Sequence, residues 1–97
     1  MSYDMSIGNE TFNYTYNVSK MWYSCYKKKG IRKHYGLTGK QAIPVLQGLY
    51  THMILNNEKL KEYNPVNGWG DFDGALKFVS DLMKASVNNL DEVWVGD

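Results

Sequence analysis

The segment Asn13-Tyr14-Thr15-Tyr16-Asn17 alternates short polar side chains with rings, so in an extended strand its amides and hydroxyl face one way and its tyrosines the other. Amides read base edges or ribose hydroxyls through paired hydrogen bonds, and aromatic rings supply stacking surface at low entropic cost. The same pattern also suits tyrosines packed on helices with asparagines capping neighbours, and both readings stand at this point. Two further rings extend the first reading: Trp22, and Trp69 within the glycine-flanked Asn67-Gly68-Trp69-Gly70-Asp71. An aromatic held in such a loop is often found at a concave site, although Trp69 would serve equally as a plug at the core edge. The candidate ligand-binding set is therefore Asn13, Tyr14, Thr15, Asn17, Trp22 and Trp69, with Asn67 and Asp71 shaping the loop.

A second candidate surface is basic. Lys27, Lys28, Lys29, Arg32, Lys33 and His34 are interleaved with Tyr26 and Tyr35, a mixture that resembles nucleic-acid-binding surfaces. A net charge of +1 argues against tight sequence-independent DNA binding. Such a run is also a common solvated face.

Other chemistry is poorly supported. The series Gly68-x-Gly70-x-x-x-Gly74 opens a helix, where free amides and the helix dipole attract anions. No strand immediately precedes it, no lysine follows, and Asp71 and Asp73 would repel a phosphate. The same aspartates lack the later oxygen ligands and closing glutamate of a calcium loop. His34 and His52 are isolated, and Cys25 falls on the apolar stripe of an expected helix, so neither a zinc set nor a Cys25–His34 nucleophile pair is expected. No catalytic set, metal site or cofactor is assigned, and the reading leans away from an enzyme.

The elements that must position these residues are legible from periodicity. Tyr3, Met5 and Ile7, then Phe12, Tyr14 and Tyr16, alternate on either side of Gly8-Asn9, which predicts a β-hairpin with a type II′ turn. Asn17 is placed to cap a first helix over about residues 18–29, ended by Gly30. Thr38 and Gln41 have capping-box form ahead of a second helix with Ala42, Leu46, Leu49, Tyr50 and Met53 on one face, running to about Asn56. Pro44 inside it predicts a kink or a displaced start. A short helical turn over residues 57–63 leads into the loop, and Asp71 caps a last helix striped by Phe72, Ala75, Leu76, Val79, Leu82, Met83 and Ser86. Asn88-Asn89 stop it, and Val93-Trp94-Val95 reads as a closing strand able to join the hairpin. The expected fold is α+β: an N-terminal hairpin plus a C-terminal strand in a small antiparallel sheet, packed against two or three helices.

Ninety-seven residues suit one domain spanning 1–97, and 43% apolar with 22% charged residues places the chain in the globular class. The single cysteine precludes an internal disulfide and fits a reducing cytoplasm. Neither a signal peptide nor an apolar run of membrane-spanning length is present, so no membrane association is expected.

Asn13-Tyr14-Thr15-x-Asn17-Val18-Ser19-x-Met21-Trp22 and Asn64-Pro65-x-Asn67-Gly68-Trp69-Gly70-Asp71 together resemble a group of small bacteriophage and prophage proteins, with similarity over nearly the whole chain. The residues at 27–33 are more basic than in that group, and Ser86 stands where a cysteine is usual. The resemblance implies an accessory protein acting in the host-cell cytoplasm, where such proteins bind host factors or sequester the nucleotide signals of antiviral defence. The combined expectation is a binder of a small nucleotide-like ligand; a buried site of this kind is often completed by a second subunit, which makes a homodimer the expected assembly. The alternative is a protein–protein inhibitor that docks a host enzyme through the basic surface.

Overall fold

Strand pairing begins at the hairpin. In the computed structural model, which describes residues 2–97, β1 (Ser2–Ile7) pairs antiparallel with β2 (Glu10–Thr15), with Met5 opposite Phe12 and Tyr3 opposite Tyr14. Gly8 has φ of 56° and Asn9 is not left-handed, the sign pattern of the expected type II′ turn. Alternation buries Tyr3, Met5 and Ile7 beneath the sheet and turns Ser2, Asp4 and Ser6 outward. β3 (Val95–Gly96) adds antiparallel to the other side of β1, giving the order β2-β1-β3.

The first helix differs from expectation. Residues Tyr16–Val18 form a 3-10 turn, α1 covers only Ser19–Tyr23, and a second 3-10 turn follows at Gly30–His34. Ser24 turns its hydroxyl onto the Met21 carbonyl, a local bond that competes with helix continuation. Asn17 does not cap this region. Thr15 Oγ1 accepts the Asn17 amide instead, which leaves the Asn17 side chain outside the helix.

α2 (Gly39–Leu55) carries the full capping box of Thr38 and Gln41, and it runs unbroken through Pro44. Proline is tolerated there because it deletes a single helical hydrogen bond while Ala42, Leu46, Leu49 and Met53 keep the helix buried. The first two amides of α2 donate to the carbonyls of Glu92 and Leu90, so the C-terminal segment completes the helix start. α3 (Asn57–Leu60) and a 3-10 turn at Lys61–Tyr63 lead to α4 (Phe72–Asn88), whose Asp71 cap accepts the Gly74 amide at 2.7 Å.

α4 packs along α2 and buries Phe72, Ala75, Phe78, Val79, Leu82, Ala85 and Ser86. The serine is a buried bridge: its hydroxyl donates to the Leu82 carbonyl and accepts Trp94 Nε1 at 2.9 Å. A polar residue on that stripe is therefore the partner that a fully buried tryptophan needs. Trp94 sits between helices and sheet, and its backbone pairs with Gly36 and Leu37.

Candidate ligand cleft

The outward face of the hairpin carries the candidate site. Ser2 lies opposite Thr15 and Asp4 opposite Asn13, so all four side chains share one side of the sheet. Ser2, Asn13, Thr15, Asn17 and Trp69 line a cleft of about 340 Å³. Residues from the strand, from the turn after it and from the loop before α4 thus converge, although Trp69 is 52 residues beyond Asn17 in the chain.

The loop that supplies Trp69 is fixed at several points. Asn67 Oδ1 accepts the Trp69 amide at 2.9 Å, and Asn64 Oδ1 accepts the Phe72 amide at 2.8 Å. Gly70 has φ of 86°, and a β-carbon on it would press on the Thr15 methyl, so only glycine brings this loop against β2. Tyr14 joins the two elements from below, with its hydroxyl accepting the Asp71 amide at 3.3 Å. Held this way, the Trp69 indole remains 70% exposed.

Around the ring, the polar groups divide by availability. Asn13 Nδ2 is committed to Ser2 Oγ at 2.9 Å and Asp4 Oδ1 at 2.7 Å, which orients its carbonyl oxygen as a free acceptor. The Asn17 carboxamide makes no hydrogen bond among the described residues and presents both donor and acceptor. No lysine or arginine lines the cleft. Its chemistry suits an uncharged flat ring bearing hydrogen-bonding edges better than a phosphate.

Two expected ligand contacts belong elsewhere. Trp22 is completely buried, with Tyr3, Tyr14 and Phe78 rings 5.3, 6.2 and 5.9 Å from it, so its faces are unavailable for stacking on a ligand. The reason is register: Trp22 follows the buried Val18 and Met21 on the inward side of α1. Tyr14 likewise points inward and stacks on Phe78 at 5.4 Å, acting as a support for the loop. The sequence reading missed Ser2, whose position opposite Thr15 follows once the hairpin register is known.

The basic segment also divides. Lys27, Lys28, Lys29 and Lys33 surround a second depression of about 340 Å³ that includes Cys25 and Tyr26. Cys25 therefore lies past the end of α1, half-buried, instead of on a helical core stripe; burial pushes its thiol above its usual range. Arg32 folds inward over the Tyr3 and Tyr16 rings, 4.8 and 5.2 Å from their centres, and donates to the Asp97 main-chain oxygen.

His34 departs furthest from the expected basic surface, being fully buried. Its Nδ1 lies 2.6 Å from the Ile31 carbonyl, which can only accept, so Nδ1 carries the proton in the neutral ring. Nε2 finds no hydrogen-bond partner among the described residues. Burial, partly opposed by the Ile31 hydrogen bond, lowers the His34 pKa from 6.5 to about 4. It is a neutral core residue at ordinary pH, edge-on to Trp94 at 4.8 Å.

A broader depression of about 600 Å³ lies alongside on the open face of the sheet, with Asp4, Ser6, Thr11, Val95 and Asp97 in its lining and Asn13 shared with the Trp69 cleft. No helix is long and apolar enough to cross a membrane. These features define a small α+β domain with a three-stranded antiparallel sheet and an exposed tryptophan beside polar strand residues. Compared with known protein families, curated proteins and solved structures, the chain matches none of them.

Proposed function

We propose that this protein is a non-catalytic binder of a small nucleotide-like ligand, taken up with its planar ring on Trp69 and its polar edges toward Asn13, Thr15 and Asn17. The observation that carries the reading is the exposed indole fixed beside the unengaged Asn17 carboxamide and the free Asn13 oxygen, in a fold where the other two tryptophans are wholly buried. Leaving a large ring in water has no folding benefit, whereas a ring with hydrogen-bonding partners nearby is a common recognition surface. Taken with the resemblance to phage and prophage proteins, the reading is of an accessory protein that sequesters a nucleotide signal of host defence.

The test is a thermal-shift series with nucleosides, nucleotides, cyclic nucleotides and ADP-ribose derivatives. A ligand at 100 times its dissociation constant adds about 2.7 kcal/mol to stability. That gain raises the melting temperature of a domain this size by roughly 10–20 °C. Base–aromatic stacking contributes about 1–3 kcal/mol, so Trp69→Ala weakens binding on the order of 10- to 100-fold while leaving the unliganded melting temperature nearly unchanged. A folded protein that responds to none of these compounds overturns the proposal.

A further inference from the structure

Residues 11–57 contain no aspartate or glutamate, yet they carry Lys20, Lys27, Lys28, Lys29, Arg32, Lys33 and Lys40. Four of these lysines line a single depression of about 340 Å³, and no carboxylate contributes to its lining. Among the described residues the one ion pair is Lys77–Asp81, on the exposed side of α4 and apart from this cluster. The four ammonium groups therefore repel one another with no counter-charge supplied by the fold.

The scaffold under them is fixed. Tyr26 donates its hydroxyl to the Val45 carbonyl at 2.7 Å, which ties the base of the depression to α2. The Gly30 amide returns to the Tyr26 carbonyl at 2.7 Å and closes the lysine turn on itself. Lys33 Nζ stands 5.2 Å from the Tyr26 ring centre, so one ammonium already has a preferred location over the depression. All four lysines are exposed, so these anchors fix the turn that carries them, and Lys33 alone has its ammonium held.

From this arrangement we infer that the Lys27, Lys28, Lys29 and Lys33 depression is a binding site for a compact oligophosphate anion. Lysine ammoniums are point charges with rotatable donors, matched to phosphate oxygens of varied direction. The depression has the dimensions of a small-ligand site and lacks the extent of a protein–protein interface. A single-stranded nucleic acid is disfavoured because the adjacent rings already have neighbours: Lys33 lies over Tyr26 at 5.2 Å, and Tyr35 packs edge-on to His34 and against Gly96. The inference stands apart from the Trp69 cleft, which has no cation in its lining.

The experiment is isothermal titration of the full chain with inorganic tripolyphosphate, with salt and charge-reversal controls. One anion binds per chain, and raising the salt weakens binding through screening. Lys28→Glu with Lys33→Glu abolishes it, and the milder pair Lys27→Gln with Lys29→Gln weakens it. Lys59→Glu with Lys84→Glu, an equal change of net charge on other exposed lysines, leaves it intact. Trp69→Ala also leaves it intact, which separates this site from the ring-binding one. Absence of binding at low salt overturns the inference. So does equal weakening by both reversal pairs, or tighter binding of a short oligothymidylate or a polyglutamate peptide than of tripolyphosphate.

Discussion

His34 shows how far a single residue's surroundings decide its chemistry. A histidine following Arg32 and Lys33 reads as part of a charged face, yet its imidazole is enclosed with Nδ1 held by Ile31 and Nε2 bare. Its pKa falls from 6.5 to about 4, so on acidification the unfolded chain takes up this proton before the folded one does. The stabilising effect of keeping His34 neutral is therefore complete above pH 6.5 and is lost as the pH falls toward about 4, amounting to about 3 kcal/mol. Urea denaturation between pH 7 and 5, where carboxylates contribute least, should give a falling stability that flattens in His34→Phe. An equally steep fall in that variant would assign the effect to other groups. The tryptophans carry the same lesson, since Trp22, Trp69 and Trp94 are chemically identical but only Trp69 faces water. Composition gives no means of telling them apart; the glycines beside Trp69 and the helical register of Trp22 do.

Among the elements, those with a complete local signal were legible, namely the hairpin with its glycine turn, the Thr38–Gln41 capping box and the Asp71 cap. The apolar spacing of the first helix continues through Cys25 and Tyr26 and so suggests a longer helix than Ser19–Tyr23, whereas Tyr26 is drawn off toward α2 by Val45. That contact is tertiary and leaves no trace in local periodicity. The junction of α2 and α4 is likewise a tertiary feature. Gly39 opens α2 where a β-carbon would collide with the carbonyl oxygens of Ser86 and Asn89, so the helix start lies directly against the end of α4. Overpacking of this kind typically costs about 1–3 kcal/mol. Gly39→Ala should accordingly lower the melting temperature by on the order of 10 °C, as read by circular dichroism. An unchanged midpoint would mean that the two helix ends are not in contact.

Across the whole molecule, the segment after α4 is what unites sheet and helices. It donates the Trp94 side chain to the core, pairs with β1, and supplies the carbonyls that accept the first two amides of α2. Removing a buried tryptophan side chain alone costs about 3–5 kcal/mol. The total stability of a domain this size is only about 5–15 kcal/mol. A chain ending at residue 90 should therefore lose its near-ultraviolet dichroism and cooperative urea transition; retention of both would show that hairpin and helices form a stable core unaided. The β-branched and aromatic residues 93–95 suggest a closing strand, yet the pairing with β1 is made by Val95 and Gly96, while Val93 bridges to Thr38; the bonds to α2 were not readable, because they involve only main-chain atoms. The placement of β3 also bears on how the protein is made. The inner strand of the sheet is made before all the helices, but its second neighbour, residues 95–96, is made after them. While the helices are being made the nascent chain exposes an open edge of β1 and an empty slot where Trp94 will sit, and the sheet closes only once residues 94–96 have been added.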